Sequence, residues 1–489
     1  MPKVRRLKLS DTGGGEDRLS ALHDDALIQI LIKLRCLAAA ARTSVLSRRW
    51  RHLWVLLPKL HFYNATDPRR IRSALAAHET PMLQELFVVR QDASSGPTGA
   101  WLPIAAHRLS GLLFCHYLSQ RVMARRRVAL KLSCFESATG IYMRLGFLRL
   151  TLPPFGVFAR LSLLHLFQLR LHGMYTTETY QLDVIVSSPR CPCLGRLLVD
   201  DVRGVGGLAI HSESLGQIEL YNLPDLQQLT IVAPSLHQLK VQDRFAPVAR
   251  QPVASISAPH LLQLAWIDDY DQNSVNLGEM AHLQRLVLQQ FIVYGKDYIA
   301  SHNHNCALLL WHFECLHNLV ITLHCPPDIA NKKYLMEDIT RVPDVKLLGL
   351  GITACGHSFG ASLFHVLRMC TAIRRLNLGL IVAPEHEAET VCPSGCICDQ
   401  PPSWKTRELV LNCLEEVEIF DLKGSEHEIS AVNRLFSWAP VLKRMTVNFH
   451  YSVTENKAEE LCQVLLTFSR PGICMICRMP DMSEKVLCA

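Results

Sequence analysis

Three thiols fall within seven residues at Cys392-Pro393-Ser394-Gly395-Cys396-Ile397-Cys398, and Cys474-Met475-Ile476-Cys477 adds a CxxC pair. Sulfur at such spacing can hold zinc, but a zinc site takes four ligands, usually as two close pairs. The two clusters are far apart in the chain and unequally spaced, so they read as reduced cysteines in loops and no metal is expected there. A second dense region comprises His302, His304, Cys306, His312, Cys315, His317, His324 and Cys325. Some of these alternate with Leu308 to Leu310 and Leu316 to Ile321, as solvent-facing positions of strands or helices do. No HExxH spacing or neighbouring carboxylate supports a catalytic metal. A GxSxG elbow, a phosphate loop and a dinucleotide fingerprint are also missing, since Gly204-Val205-Gly206-Gly207 lacks the required spacing and a following helix. The reading is therefore a non-enzyme with no cofactor.

What remains is a chain of 489 residues, 49% hydrophobic and 19% charged, with apolar surface enough to fold most of its length. The net charge of +7 is mild for so large a surface. Arg48, Arg49 and Arg51, and further on Arg121, Arg125, Arg126 and Arg127, form basic clusters without interleaved aromatics. They read as solvated faces rather than a nucleic-acid surface. Eighteen cysteines lie scattered from Cys36 to Cys488 without a framework spacing, as reduced thiols of an intracellular protein do. The basic start has no apolar segment behind it, and no stretch is apolar long enough to span a bilayer. A soluble protein of the nucleus or cytoplasm is expected.

The elements that would position any function fall into two kinds. Residues 1–16, ending in Gly13-Gly14-Gly15-Glu16, read as a flexible lead-in. Three short helices are then expected within 17–62. Leu27, Ile30, Leu31 and Leu34 share one helical face behind a capping Asp24, and Ala38 to Ala41 continue as a second helix. Ser47 caps a third, whose Trp50, Leu53, Trp54 and Leu57 repeat the spacing until Pro58. So small a module can bury only a modest core, so part of its apolar stripe should meet another protein.

From residue 80 a different pattern recurs, apolar-x-x-apolar-x-apolar, which is the strand core of a leucine-rich repeat. It stands at Leu83/Leu86/Val88, Leu166/Leu169/Leu171, Leu194/Leu197/Val199, Leu215/Ile218/Leu220, Leu226/Leu229/Ile231 and Leu236/Leu239/Val241. It continues at Leu261/Leu264/Trp266, Leu283/Leu286/Leu288, Leu316/Leu319/Ile321, Val345/Leu348/Leu350, Ile373/Leu376/Leu378, Leu414/Val417/Ile419 and Leu442/Met445/Val447. The strands beginning at Leu215, Leu226 and Leu236 are too close to carry helices behind them, and Pro224 and Pro234 are placed in their returns. Ile429, Val432, Leu435 and Phe436 predict a helix between the last two strands, and Leu461, Val464, Leu465 and Phe468 predict one that closes the array. The fold class is thus α/β, a three-helix module followed by an irregular solenoid with a curved, mainly parallel sheet.

The stretch Asp17-Arg18-Leu19-Ser20-Ala21-Leu22-His23-Asp24-Asp25, with Arg42-Thr43-Ser44-Val45-Leu46-Ser47-Arg48-Arg49-Trp50-Arg51, resembles the F-box of plant F-box/leucine-rich-repeat proteins. Cys413-Leu414-Glu415-Glu416-Val417 and Trp438-Ala439-Pro440-Val441-Leu442-Lys443 resemble the FBD-like module of the same proteins. The resemblance implies an F-box over 17–62, repeats over 80–412, an FBD-like repeat and cap over 413–478 and a tail over 479–489. It also implies a non-catalytic substrate-recognition subunit of an SCF-type ubiquitin ligase, docked on a Skp-family adaptor and through it on cullin and RING subunits, with the repeats binding a target protein. By that likeness the docking residues are Leu22, Leu27, Ile30, Leu31, Leu34, Val45, Trp50, Leu53 and Trp54. Two positions depart from the family's pattern: His23 stands where it has proline, and the second helix begins Arg35-Cys36-Leu37 rather than on a polar or acidic residue. These departures motivate an alternative, an F-box-derived binding scaffold with weakened or lost ligase association.

Overall fold

The computed structural model describes residues 21–34, 36–63, 67–90, 99–118, 129–171, 181–242, 253–381, 392, 395–399, 403–479 and 484–488. The lead-in and the basic cluster from Arg121 to Arg127 lie outside them. The chain divides into two compact units, Met1–His172 with Pro189–Cys193, and Gly173–Ser188 with Leu194–Ala489. The division falls inside the stretch expected to be repeats.

In the first unit, α1 (Asp24–Lys33), α2 (Leu37–Arg42) and α3 (Trp50–Leu53) are followed by strands β1 (Lys59–Phe62), β2 (Leu83–Arg90), β3 (Leu109–Tyr117), β4 (Ala129–Lys131), β5 (Gly140–Arg144), β6 (Arg149–Thr151) and β7 (Leu163–Leu171). The strands β1, β2, β3, β5 and β7 pair in parallel in that order. Helices α4 (Pro68–Ala77) and α5 (Leu102–Arg108) occupy the β1–β2 and β2–β3 connections. The alternation of a strand explains the core: Leu83, Leu86 and Val88 are wholly buried while Phe87 stays half-exposed on the other face.

Three repeats of this unit differ from the expected spacing. In β3 the register slips by one residue beside Leu83 and Glu85, which separates Leu109 from Leu113 by one place too many. In β5 the leading position is Ala138, buried but not recognisably apolar in the pattern, ahead of Ile141 and Met143. In β7 the repeat core is Leu161, Leu164 and Leu166, because Ile141 pairs with Leu164 and Met143 with Leu166. The expected Leu166/Leu169/Leu171 therefore begins where the repeat core ends, five residues late, and runs past a left-handed Gln168 at φ 46°.

In the second unit α6 (Gln181–Val186) precedes β8 (Arg196–Arg203), β9 (Gly207–His211), β10 (Gln217–Tyr221), β11 (Gln228–Val232), β12 (Gln238–Gln242), β13 (Val253–Ser257), β14 (Gln263–Ile267), β15 (Val275–Asn276) and β16 (Arg285–Leu288). These strands alternate between two parallel sheets, β8-β10-β12-β14-β16 and β9-β11-β13-β15. The strand at Leu226/Leu229/Ile231 is therefore not a neighbour of those at Leu215 and Leu236, as close spacing alone suggests. It belongs to the second sheet, and Arg196, Gln217 and Gln238 stand opposite one another as true repeat partners 21 residues apart. Pro224 and Pro234 occupy the turns between the two sheets.

After β16 come β17 (Phe291–Ile292), β18 (Tyr294–Gly295) and α7 (Asp297–Trp311), then β19 (Cys315–His324), β20 (Lys333–Tyr334), β21 (Asp344–Thr353), α8 (Gly360–Leu367), β22 (Arg375–Leu380), α9 (Ser403–Thr406), β23 (Glu416–Leu422), α10 (Glu426–Trp438), β24 (Arg444–Phe449), α11 (Glu455–Phe468), β25 (Cys474–Arg478) and β26 (Glu484–Cys488). From β16 through β19, β21, β22, β23, β24 and β25 the pairing is parallel. α10 starts on a capping box in which Ser425 and Glu428 satisfy each other's backbone donors, and it buries Val432, Leu435 and Phe436 as expected. On α11, Leu461 and Leu465 are buried while Val464 is 40% exposed, and Ala458 and Cys462 complete the inner stripe. The last sheet edge is covered by β26, antiparallel to β25, within the segment expected to be a tail. Among the described residues no helix is long and apolar enough to cross a membrane.

Candidate functional sites

Helix α1 begins after His23, whose backbone sits at φ −65° and ψ 155° and whose side chain makes no capping hydrogen bond. Asp24, expected as the cap, is instead the first helical residue. It pairs with Arg49 Nε at 2.6 Å, while Arg49 also donates to the Leu22 carbonyl, so the start of α1 is tied to the start of α3. The Trp50 N–H reaches Ser47 Oγ at 3.5 Å. The nine expected docking residues separate by burial. Leu27, Leu31, Trp50 and Leu53 are buried, Trp50 at 7% exposure, and fill the module's own interior. Ile30, Leu34 and Val45 face solvent at 38%, 44% and 88%, and Leu22 and Trp54 are half-buried. The family likeness gathers all nine into one docking surface, but a four-residue α3 has room for one inward face only, and the Trp50 indole turns in. Leu46, 65% exposed beside Val45, extends the outward patch and was missed because it breaks the helical spacing.

Each unit also presents an open sheet face. In the first, His61, Phe87, Phe114, Tyr142 and His165 are register partners on successive strands. Phe114 and Tyr142 stack at 4.4 Å with 12° between planes, and the neighbouring rings meet at 5.6 to 5.8 Å. In the second, the corresponding phase is not aromatic: it includes Glu219, Lys240 and Glu418 among uncharged residues, and these carboxylates pair with arginines two positions earlier on neighbouring strands. Glu219 accepts from Arg196 at 2.6 Å and from the Tyr221 hydroxyl at 2.7 Å. Burial would raise the Glu219 carboxyl, but these two donors outweigh it and hold its pKa below the usual value. Farther along, Arg375 meets Glu418 at 3.0 Å, Arg444 meets Glu416 at 3.4 Å, and Arg478 bridges Glu418 and Glu484 at 3.0 and 2.8 Å.

The cysteine and histidine clusters have different fates. On β25 the alternation turns Cys477 inward and Cys474 outward, so the CxxC cannot act as a chelating pair. In the 302–325 region, His302 and Cys306 lie one helical turn apart on α7, with Sγ 3.7 Å from Nε2. Asp269, 3.7 Å from Nδ1, together with Cys306 and the Gln290 carbonyl, outweighs desolvation and pushes the His302 pKa up to about 10. His304 and His317 point to solvent. In contrast, Cys392, Cys396 and Cys398 converge on His357, with the four candidate ligand atoms within 4.8 Å of one another. Among the described residues this is the one such group. Beside it opens a cavity of about 420 Å³, lined by Tyr294, Lys332, Tyr334, Glu337, Arg368, Ile397, Trp404 and Arg407. Burial pushes the Tyr294 and Tyr334 phenols up, so both face it as neutral hydroxyls. His357 escaped the sequence reading because it lies 35 residues before Cys392. The available signal was topological: turns leaving the same end of neighbouring parallel strands lie side by side.

No family model matches the chain. An FBD-associated F-box protein of Arabidopsis thaliana is 24% identical to it over 476 residues, 94% of this chain and 98% of that one. An F-box/FBD/LRR-repeat protein of the same plant is 22% identical over 92% of this chain and 93% of its own length. Another F-box/FBD/LRR-repeat protein reaches 38% over 109 residues, 19% of this chain and 24% of that one. With these matches and the long, mostly parallel sheet, the chain is along nearly its whole length a relative of the plant F-box/FBD/leucine-rich-repeat proteins.

Proposed function

We propose that this chain is the non-catalytic substrate-recognition subunit of an SCF-type ubiquitin ligase, docking on a Skp-family adaptor through its first helices and holding a target protein on its repeats. One observation carries the reading: Ile30, Leu34, Val45 and Leu46 expose aliphatic surface on a module whose interior is already filled by Leu27, Leu31, Trp50 and Leu53. Surplus apolar side chains on so small a body are stabilised by a partner that covers them. The docking patch is thus the outward half of the expected row, with Leu22 and Trp54 at its margin. His23 does not argue against it, because its φ of −65° is the angle proline would impose, so the backbone path into α1 is the one proline would set.

The test is co-purification of the full-length protein with a Skp-family adaptor. Replacing Val45 and Leu46 with Asp should weaken binding on the order of ten-fold or more while leaving the melting curve unchanged. Trp50→Ala should instead lower stability by about 3 kcal/mol and lose binding only through unfolding. Undiminished adaptor binding by the folded double-Asp variant would sink the docking assignment.

A further inference from the structure

We propose that His357, Cys392, Cys396 and Cys398 form a structural zinc site that clamps the long β22–β23 connection onto the turn after β21. The proposal is independent of the ligase reading.

The geometry is that of a site drawn around a small tetrahedral ion. His357 Nδ1 lies 3.4 Å from the Cys392 sulfur and 3.6 Å from that of Cys396, and the sulfurs of Cys392 and Cys398 are 3.3 Å apart. Zinc bonds to sulfur and nitrogen at tetrahedral angles give ligand edges of about 3.8 Å for S···S and about 3.6 Å for N···S. The Cys392–Cys398 separation is well beyond a disulfide bond of about 2.05 Å. Three sulfurs and one imidazole, with no carboxylate among them, make a soft donor set that suits zinc and not calcium or magnesium. Four protein ligands close the coordination sphere, which marks a structural ion, not a catalytic one.

The surroundings are arranged for that role. His357 Nε2 lies 3.0 Å from the Pro327 carbonyl, so it carries the ring proton and leaves the Nδ1 lone pair aimed at the thiols. The ring is 6% exposed and Cys398 is wholly buried. The turn that presents the histidine puts two successive residues in the left-handed region, Cys355 at φ 47° and Gly356 at φ 81°, closed by the His357 N–H on the Ala354 carbonyl at 3.0 Å. A non-glycine residue such as Cys355 is strained there, and the strain persists when something beyond the turn holds it. The clamp also explains how the described residues 395–399 of the β22–β23 connection are fixed to the repeats. Ile397 stands between two of the ligands and forms part of the cavity wall with Trp404, so the ion would set the shape of that cavity.

Full-length protein purified without chelator should carry about one zinc per chain by plasma mass spectrometry. Cys396→Ser and His357→Ala should each lose it, while Cys474→Ser on β25 should keep it. Absence of zinc from the wild-type protein, or equal zinc in the wild-type and Cys396→Ser proteins, overturns the proposal. Because a ligand variant can unfold locally, cobalt exchange into the wild-type chain gives a second measure. Intense visible bands with thiolate-to-cobalt charge transfer are expected, and the weak bands of an octahedral ion would overturn the assignment. So would a Cys392–Cys398 disulfide found by non-reducing peptide mapping.

Discussion

The open sheet faces of the two units are built on the same parallel register and carry opposite chemistry. Parallel pairing sets equivalent residues about 4.8 Å apart on successive strands, so whatever occupies one phase of the repeat becomes a ladder. In the first unit that phase is aromatic, from His61 through Phe87, Phe114 and Tyr142 to His165. In the second unit the aromatic phase reads Asn377, Glu418 and Thr446 on β22 to β24, and the position two residues earlier alternates in sign, with Arg375, Glu416 and Arg444 in register and joined by ion pairs. The aromatic ladder leaves ring faces and apolar area open to a visitor, whereas the ionic ladder spends much of its charge within itself. A target held on the first would owe little to salt, and one recruited by the second would have to compete with existing partners.

The strongest way to break this comparison is to disturb the register that makes it. Gly111 lies where β3 slips against β2, and a Cβ placed there would sit 1.9 Å from the Gln84 carbonyl oxygen. The obstacle is Gln84 backbone, which cannot swing aside as a side chain can, so Gly111→Ala should destabilise the first unit by about 3 kcal/mol, seen as a lower urea midpoint. Gly379, in β22 of the second unit, has nothing within 4 Å of its would-be Cβ. Gly379→Ala should be neutral to within about 0.5 kcal/mol. Equal midpoints for the two variants would show that the bulge tolerates what the geometry forbids.

The same contrast marks what the sequence discloses. Leucines at the repeat positions were legible because burial on one strand face leaves an alternating trace, as at Leu348/Leu350 and Val417/Ile419. The repeat at β3 was hidden by an extra residue, that at β5 by Ala138, and that at β25 by Gly472, which stands at φ 94° where a leucine is expected. Spacing also cannot tell a neighbouring strand from one in another sheet, so the 11-residue interval from Leu215 to Leu226 does not disclose that β10 and β11 belong to different sheets. On α1, helical periodicity reads Leu27, Ile30, Leu31 and Leu34 as one face but not which of them turn outward, since inside and outside of a small bundle are both apolar. His357 could not be paired with its cysteines until β21 and β22 were known to be adjacent.

A second test bears on the ionic face. Glu219 is 8% exposed and takes two charge-assisted hydrogen bonds, so Glu219→Ala should cost about 2 kcal/mol at neutral pH. Its folded pKa is lowered, so its contribution is complete above the ordinary glutamate value of 4.5 and is lost as acid protonates it through the depressed one. Wild-type stability should therefore fall on acidification below that value more steeply than that of Glu219→Gln. Parallel curves would mean that Arg196 and Tyr221 gain nothing from the charge.

The finest discrimination comes from paired double-mutant cycles, one on each face. Phe114 and Tyr142 should couple by about 1 kcal/mol, the increment for stacked rings beyond their buried area, with little change between low and high salt. Arg375 and Glu418 should couple by about 0.5 kcal/mol at low salt, since the arginine side chain is 45% exposed. Near 1 M salt, where the screening length falls to about 3 Å, most of that coupling should vanish. If the aromatic pair proved the salt-sensitive one, the ladders would differ in appearance only. If both couplings held in high salt, the ionic face would be dry enough to act as a second rigid platform, and the distinction between the two units would rest on shape instead of chemistry.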